Sequence, residues 1–188
     1  MSHRTVAAVL VLMLAAGCSD DDAGGATTDT VPATPDVTIC DPTGTGQSAD
    51  ELPDVATISE AIAAVEAALG GPTEFFEINT TARVVNLFVA LNDGTVVQPW
   101  LYVDGELTTE DGQAASGGTF ASSDVDFDAD SVLDGVRAEL PDATLETFYV
   151  HGDGQGNVRY GLLVSTKCGG GFDVIVGPDG TVQAVDPV

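Results

Sequence analysis

The sequence predicts an α+β fold: two tandem helix-plus-antiparallel-sheet units, preceded by a signal peptide and a disordered stalk. Three observations carry this expectation. Two segments place apolar residues at helical spacing, near 58–69 and 132–140. Each is followed by runs of strand-like alternation broken by turn signals such as Asn92-Asp93-Gly94 and Pro178-Asp179-Gly180. The order also recurs. Laying Thr57 over Ala129 gives an offset of 72 residues, and Asp104-Gly105 over Asp179-Gly180 gives 75, a drift that small loop changes would produce.

Taken in order, the chain starts with an address. Residues 1–17 carry Arg4 and then an apolar run from Val6 to Ala16, too short to span a bilayer and without the polar face of a core helix. This is the anatomy of a secretory signal peptide. The run ends Leu14-Ala15-Ala16-Gly17-Cys18, which resembles the lipobox of bacterial lipoproteins, with Ala15 where Leu is commonest. The resemblance implies cleavage after Gly17 and acylation of Cys18, so that the chain meets the membrane through lipid and faces outside the cytoplasm. More than one acyl chain is needed for stable anchoring. Loss of residues 1–17 would leave 171 residues, with Arg83, Arg137, Arg159 and Lys167 against 30 acids, a net −26.

Residues 18–39 follow as a lipidated, flexible stalk. Their Asp, Thr, Ala, Gly and Pro offer no aromatic side chain and too little apolar surface to offset ordering entropy. Residues 40–188 are expected to form the folded part. With Cys18 acylated, Cys40 and Cys168 remain, and an exported chain favours a disulfide between them, closing a loop of well over 100 residues. The rival reading makes Cys168, in Lys167-Cys168-Gly169, a nucleophile served by His151, the single histidine after the leader.

The first unit spans about 50–110. Thr57 and Glu60 have capping-box spacing, Ile58, Ala61, Ile62, Val65 and Leu69 share a helical face, and Gly70-Gly71-Pro72 stops the helix. Strands are expected at 74–80, 83–91 and 95–103, then a tight turn at Asp104-Gly105 before Glu106-Leu107. The second unit spans about 124–188. Val132, Leu133, Val136 and Leu140 mark its helix, Pro141 lies just past its end, and strands are expected at 144–151, 157–166, 171–177 and 181–185. Residues 109–128 read as a linker or loop. The helix-then-sheet unit given twice, with its endings YVDGEL and VGPDGTVQ, resembles in layout the PepSY-like and β-lactamase-inhibitor-protein-like repeats of secreted bacterial proteins. That resemblance implies a binding rather than a catalytic role.

Charge narrows the partners. Five Lys and Arg against 30 Asp and Glu, a net −25, exclude a nucleic-acid binder and a polybasic membrane patch. Of the acids, 21 are Asp, many in turns, where the short side chain bonds nearby amides. Asp124, Asp126, Asp128 and Asp130 alternate as calcium ligands can. An EF-hand loop starting at Asp124 fails, however, at position six (Ala129) and position twelve (Gly135). An extended acidic segment ending in a helix N-cap at Asp128 or Asp130 is preferred. The glycine-rich 152–157 lies between strand patterns and no Lys follows it, so a hairpin turn explains it better than a phosphate loop. No zinc, serine-hydrolase or cofactor motif is present.

Trp100 and Tyr102 lie two apart on one strand face, as core or as an exposed binding surface. The expected function is therefore that of a lipid-anchored extracytoplasmic protein with a non-catalytic binding or modulatory domain and an envelope protein or peptide as partner. The alternative is a cell-envelope hydrolase using a carboxylate pair.

Overall fold

The computed structural model describes residues 46–188. The expected signal peptide (1–17), the expected stalk (18–39) with Cys18, and Cys40 lie outside the described residues. Helix α1 (Ile58–Leu69) buries Ile58, Ala61, Ile62 and Val65 and ends at Gly70, whose φ of 85° is the left-handed cap that glycine adopts without a side-chain penalty. Its start differs from the expected capping box. Asp54 accepts from the Thr57 amide and hydroxyl ahead of the helix, and Glu60 is drawn instead to the Tyr102 hydroxyl at 2.7 Å. A tertiary partner has taken the side chain that local spacing assigned to the cap.

Strands β1 (Glu74–Thr80), β2 (Val85–Leu91), β3 (Val96–Val103) and β4 (Glu106–Thr109) follow, joined by tight turns. Short strands β5 (Gln113–Ala114) and β6 (Phe120–Ala121) precede helix α2 (Ala129–Glu139), and β7 (Ala143–Gly152), β8 (Val158–Thr166), β9 (Gly171–Val176) and β10 (Val182–Pro187) complete the chain. Helix α2 buries Val132, Leu133 and Val136, and Pro141 lies beyond its end. Helix α2 packs closely on the β9–β10 turn: a Cβ on Gly135 would enter the main chain of Gly180, and a Cβ on Gly180 would enter the main chain of Ser131.

The expectation of two helix-plus-sheet units is overturned. The described residues are sheet-dominated: ten strands form one antiparallel sheet whose main path runs β10-β9-β8-β7-β1-β2-β3-β4, and among these residues there are only two short α-helices, of 12 and 11 residues. The join is β1 against β7, where Ile78 faces Val150 and Thr80 faces Phe148. Held apart, β1 and β7 would each present a row of unpaired backbone donors and acceptors, and pairing them satisfies both. Residues of both helices and of β1, β2, β7, β8 and β9 then share one core. Within it Phe75, Ile78, Phe148 and Leu162 are fully buried, each contributing about 1.5–3 kcal/mol of apolar burial.

The expected linker at 109–128 is corrected too. It adds β5 alongside β3 and β6 alongside β1, and Phe120 enters the core with its ring centroid 6.0 Å from that of Phe75. Among the described residues no helix is long and apolar enough to cross a membrane.

Candidate binding face

Strand alternation sorts the sheet into two faces. Ile78, Leu87, Val89, Phe148, Val150, Leu162 and Val174 point to the face that carries both helices and are buried there. Residues one step out of phase point the other way, onto a face that neither helix among the described residues covers. The register aligns them in rows across the sheet. One row runs Leu101, Asn86, Asn79, Tyr149, Gly161 and Ile175; its neighbour runs Pro99, Phe88, Glu77, His151 and Arg159.

The centre of this face is tied by side-chain hydrogen bonds. The Asn86 side-chain amide donates to Asn79 Oδ1 at 2.8 Å, and the Asn79 side-chain amide donates to Glu77 Oε1 at 2.6 Å. The Tyr149 hydroxyl donates to Asp173 Oδ1 at 2.6 Å. To reach it the tyrosine ring must cross β8, and Gly161 is the β8 residue directly opposite. A Cβ there would run into the ring, so glycine is what leaves the path open. His151 stacks on Tyr149, centroids 5.3 Å apart and planes 16° from parallel. Burial, and then the bond to the Asp173 carboxylate, push the Tyr149 phenol well above the ordinary tyrosine range.

Apolar side chains flank this polar centre. Leu101 on β3 and Leu163 on β8 are 37% and 39% exposed, two of the five large hydrophobics left open to solvent among the described residues. The face therefore combines fixed donors and acceptors with apolar contacts on a broad surface, which suits recognition of another surface.

The residues singled out from sequence lie elsewhere. Tyr102 points to the helix-covered face and is buried, 5% exposed, with its hydroxyl on Glu60. Trp100 shares that face, half-buried against the core, with its indole N–H on Gln98 Oε1 at 3.3 Å. Asp124 accepts from the Ala121 amide, and Asp128 is the N-cap of α2, accepting from the amides of Asp130 and Ser131. Those bonds hold the Asp128 carboxyl below the usual range. The Asp126 backbone is bracketed by the Tyr160 hydroxyl, which accepts from its N–H and donates to its carbonyl, both at 3.0 Å. Among the described residues no group of three or more metal-ligating side chains converges.

Cys168 sits in the exposed turn between β8 and β9 and is not a free thiol. His151 faces Arg159 near the opposite end of β8, more than about 20 Å from Cys168 by strand rise, so the two do not form a nucleophile–base pair. Cys40 lies outside the described residues.

Sequence reasoning did not find Tyr149, Gly161 or Asp173. Their signal was the polar phase of the strands: Tyr149 and His151 alternate with Phe148 and Val150, and attention to the apolar phase alone passes over them. Comparison with known proteins adds no family, since no family model, no curated protein and no solved structure matches the chain.

Proposed function

We propose that this chain is a lipid-anchored extracytoplasmic protein whose sheet domain is a non-catalytic binding module, docking a protein partner on the sheet face opposite the two described helices. The observation that carries the reading is the one-sided placement of the helices. It leaves a broad face with an ordered polar centre and exposed Leu101 and Leu163. The anchor reading rests on the Leu14–Cys18 segment, and a Cys40–Cys168 disulfide would staple the domain in an oxidising compartment.

Carboxylate-pair hydrolysis has less support. Its general acid needs a carboxyl whose pKa is raised. Among the described residues no Asp or Glu is buried, and each carboxyl whose pKa departs from the ordinary value (Asp50, Glu51, Asp128, Asp153 and Asp179) is shifted down by hydrogen bonds.

Site-specific photo-crosslinking in intact cells tests the docking face. A photoreactive residue at Leu101 or at Leu163 is expected to give the same discrete adduct, while one at Leu69, which is 42% exposed on the first helix, gives none. Equal adducts from all three positions, or none from either open-face position, would overturn the proposal.

A further inference from the structure

We infer that the partner of the open face is a protein with a Lys- and Arg-rich docking surface carrying apolar side chains. This rests on the docking role proposed above for that face and adds the chemistry of its occupant. By register the face presents Glu77, Glu106, Asp173 and Asp186 against the single cation Arg159. Asp186 of β10 lies directly opposite Asp173 of β9. Like charges placed opposite one another weaken a strand pair. Within the chain the Tyr149 hydroxyl donates to Asp173, a neutral donor that leaves the charge of the carboxylate in place. A cation brought by a partner would relieve that opposition.

The same charge decides against other occupants. A second copy would bring an equally acidic face and a net charge of the same sign, and an anionic lipid surface or a nucleic acid would likewise be repelled. A basic surface is instead steered in by the field of the whole molecule, and the electrostatic match raises association rate and selectivity. Leu101 and Leu163 supply apolar contacts at either side. They are separated by four strand spacings, about 19 Å, a breadth suited to a protein surface.

Three fluorescent 12-residue peptides, alternating Leu with Lys, Ser or Glu, would be titrated by anisotropy into the full lipidated chain in micelles of uncharged detergent. The Lys peptide is expected to bind about tenfold or more tighter than the Ser peptide, with no binding of the Glu peptide. The double variant Leu101→Ser/Leu163→Ser should weaken the Lys peptide about fivefold or more, while Leu69→Ser leaves it unchanged. Both leucines are already partly in water, so the folded state tolerates the change, and circular dichroism would verify it. If the Ser peptide binds as tightly as the Lys peptide and both respond to the double variant, the docking face stands and the basic partner is overturned. If the Lys peptide binds without regard to Leu101 and Leu163, the attraction is diffuse and the docking face falls with it. Absence of Lys-peptide binding likewise overturns the inference.

Discussion

The Tyr149 hydroxyl donates a 2.6 Å hydrogen bond to the Asp173 carboxylate from the far side of β8, with Gly161 the residue its ring must clear. Three strands are thereby joined by one side chain on the face opposite the two described helices. Tyr149→Phe removes the bond and is expected to cost about 1–2 kcal/mol, since the acceptor is charged. Gly161→Ala places a methyl group in the ring's path and should cost about 1–3 kcal/mol. The two are coupled, because once the ring is displaced its hydroxyl has little left to lose. Urea denaturation of both single variants and the double variant should give a total well below the sum of the singles. Strict additivity would show that the ring does not depend on the glycine.

Alkaline titration reads the same bond from another side. Tyr102, Tyr149 and Tyr160 all have phenols held above the ordinary value of 10.0: Tyr102 chiefly by its bond to Glu60, Tyr149 and Tyr160 chiefly by burial. A folded-state pKa raised above the unfolded one gives stability that is complete below about pH 10 and is lost as pH rises toward the folded pKa. Absorbance at 295 nm should therefore stay flat past pH 10 and rise only as the protein unfolds. A Tyr149→Phe chain should lose less stability between pH 9 and pH 11 than the parent. Ordinary tyrosinate formation near pH 10 in a protein that remains folded would contradict this.

Acid acts in the opposite sense at Asp128. Its carboxylate caps α2 through the amides of Asp130 and Ser131, and those bonds lower its pKa. A lowered folded-state pKa contributes stability above the unfolded value of about 3.9 and loses it as pH falls through the folded value. Asp128→Ala is expected to lower the thermal midpoint by about 3–6 °C at pH 7. That difference should shrink as pH is taken below 3. Asp128→Asn, which keeps a capping oxygen, should lie between the two. A midpoint unmoved by Asp128→Ala would show that the cap is replaced by another group or by water.

Local signals in the sequence carried much of this architecture and missed its joins. The helices came from the spacing of Ile58, Ala61, Ile62 and Val65 and of Val132, Leu133 and Val136. The seven longer strands came from alternation and turn signals, and both act over a few residues. The pairing of Glu77–Thr80 with Phe148–His151 has no local signature. It depends on which edges are left unsatisfied once hairpins form, and so two units were expected where one sheet exists. Phe120 was lost in the supposed linker because one aromatic among Gly, Ser and Asp carries no period. The binding face was hidden for a related reason. Tyr149, Gly161 and Asp173 lie on three strands, at positions 12 residues apart, and only the register brings them together. Trp100 and Tyr102 stood out by composition, but the phase of β3 turns them toward the helices.

The anchor proposal is testable without reference to the fold. Cys18→Ala removes the sulfur that would carry lipid and should move the chain out of the membrane fraction, with loss of the mobility shift given by acylation. Two or more acyl chains hold a protein on a bilayer, whereas the described domain has no spanning helix to substitute for them. A Cys18→Ala chain that stays in the membrane at full length would mean that residues 1–17 are retained as an anchor.

The staple is tested by the remaining cysteines. Peptide mapping under non-reducing conditions should find Cys40 linked to Cys168, and free thiols at both would end the proposal. Because the bridge would tie the start of the domain to the β8–β9 turn across well over 100 residues, the chain-entropy model assigns it roughly 5 kcal/mol. Reduction should therefore lower the urea midpoint strongly, and Cys40→Ser and Cys168→Ser should each lower it by the same amount as the double variant. Such equality is the mark of a single bond, because removing either sulfur abolishes it and removing the second takes nothing further. Unequal singles would instead assign Cys168 a packing role of its own, beside Phe172 and the Leu140–Ala143 segment that line the adjoining apolar pocket.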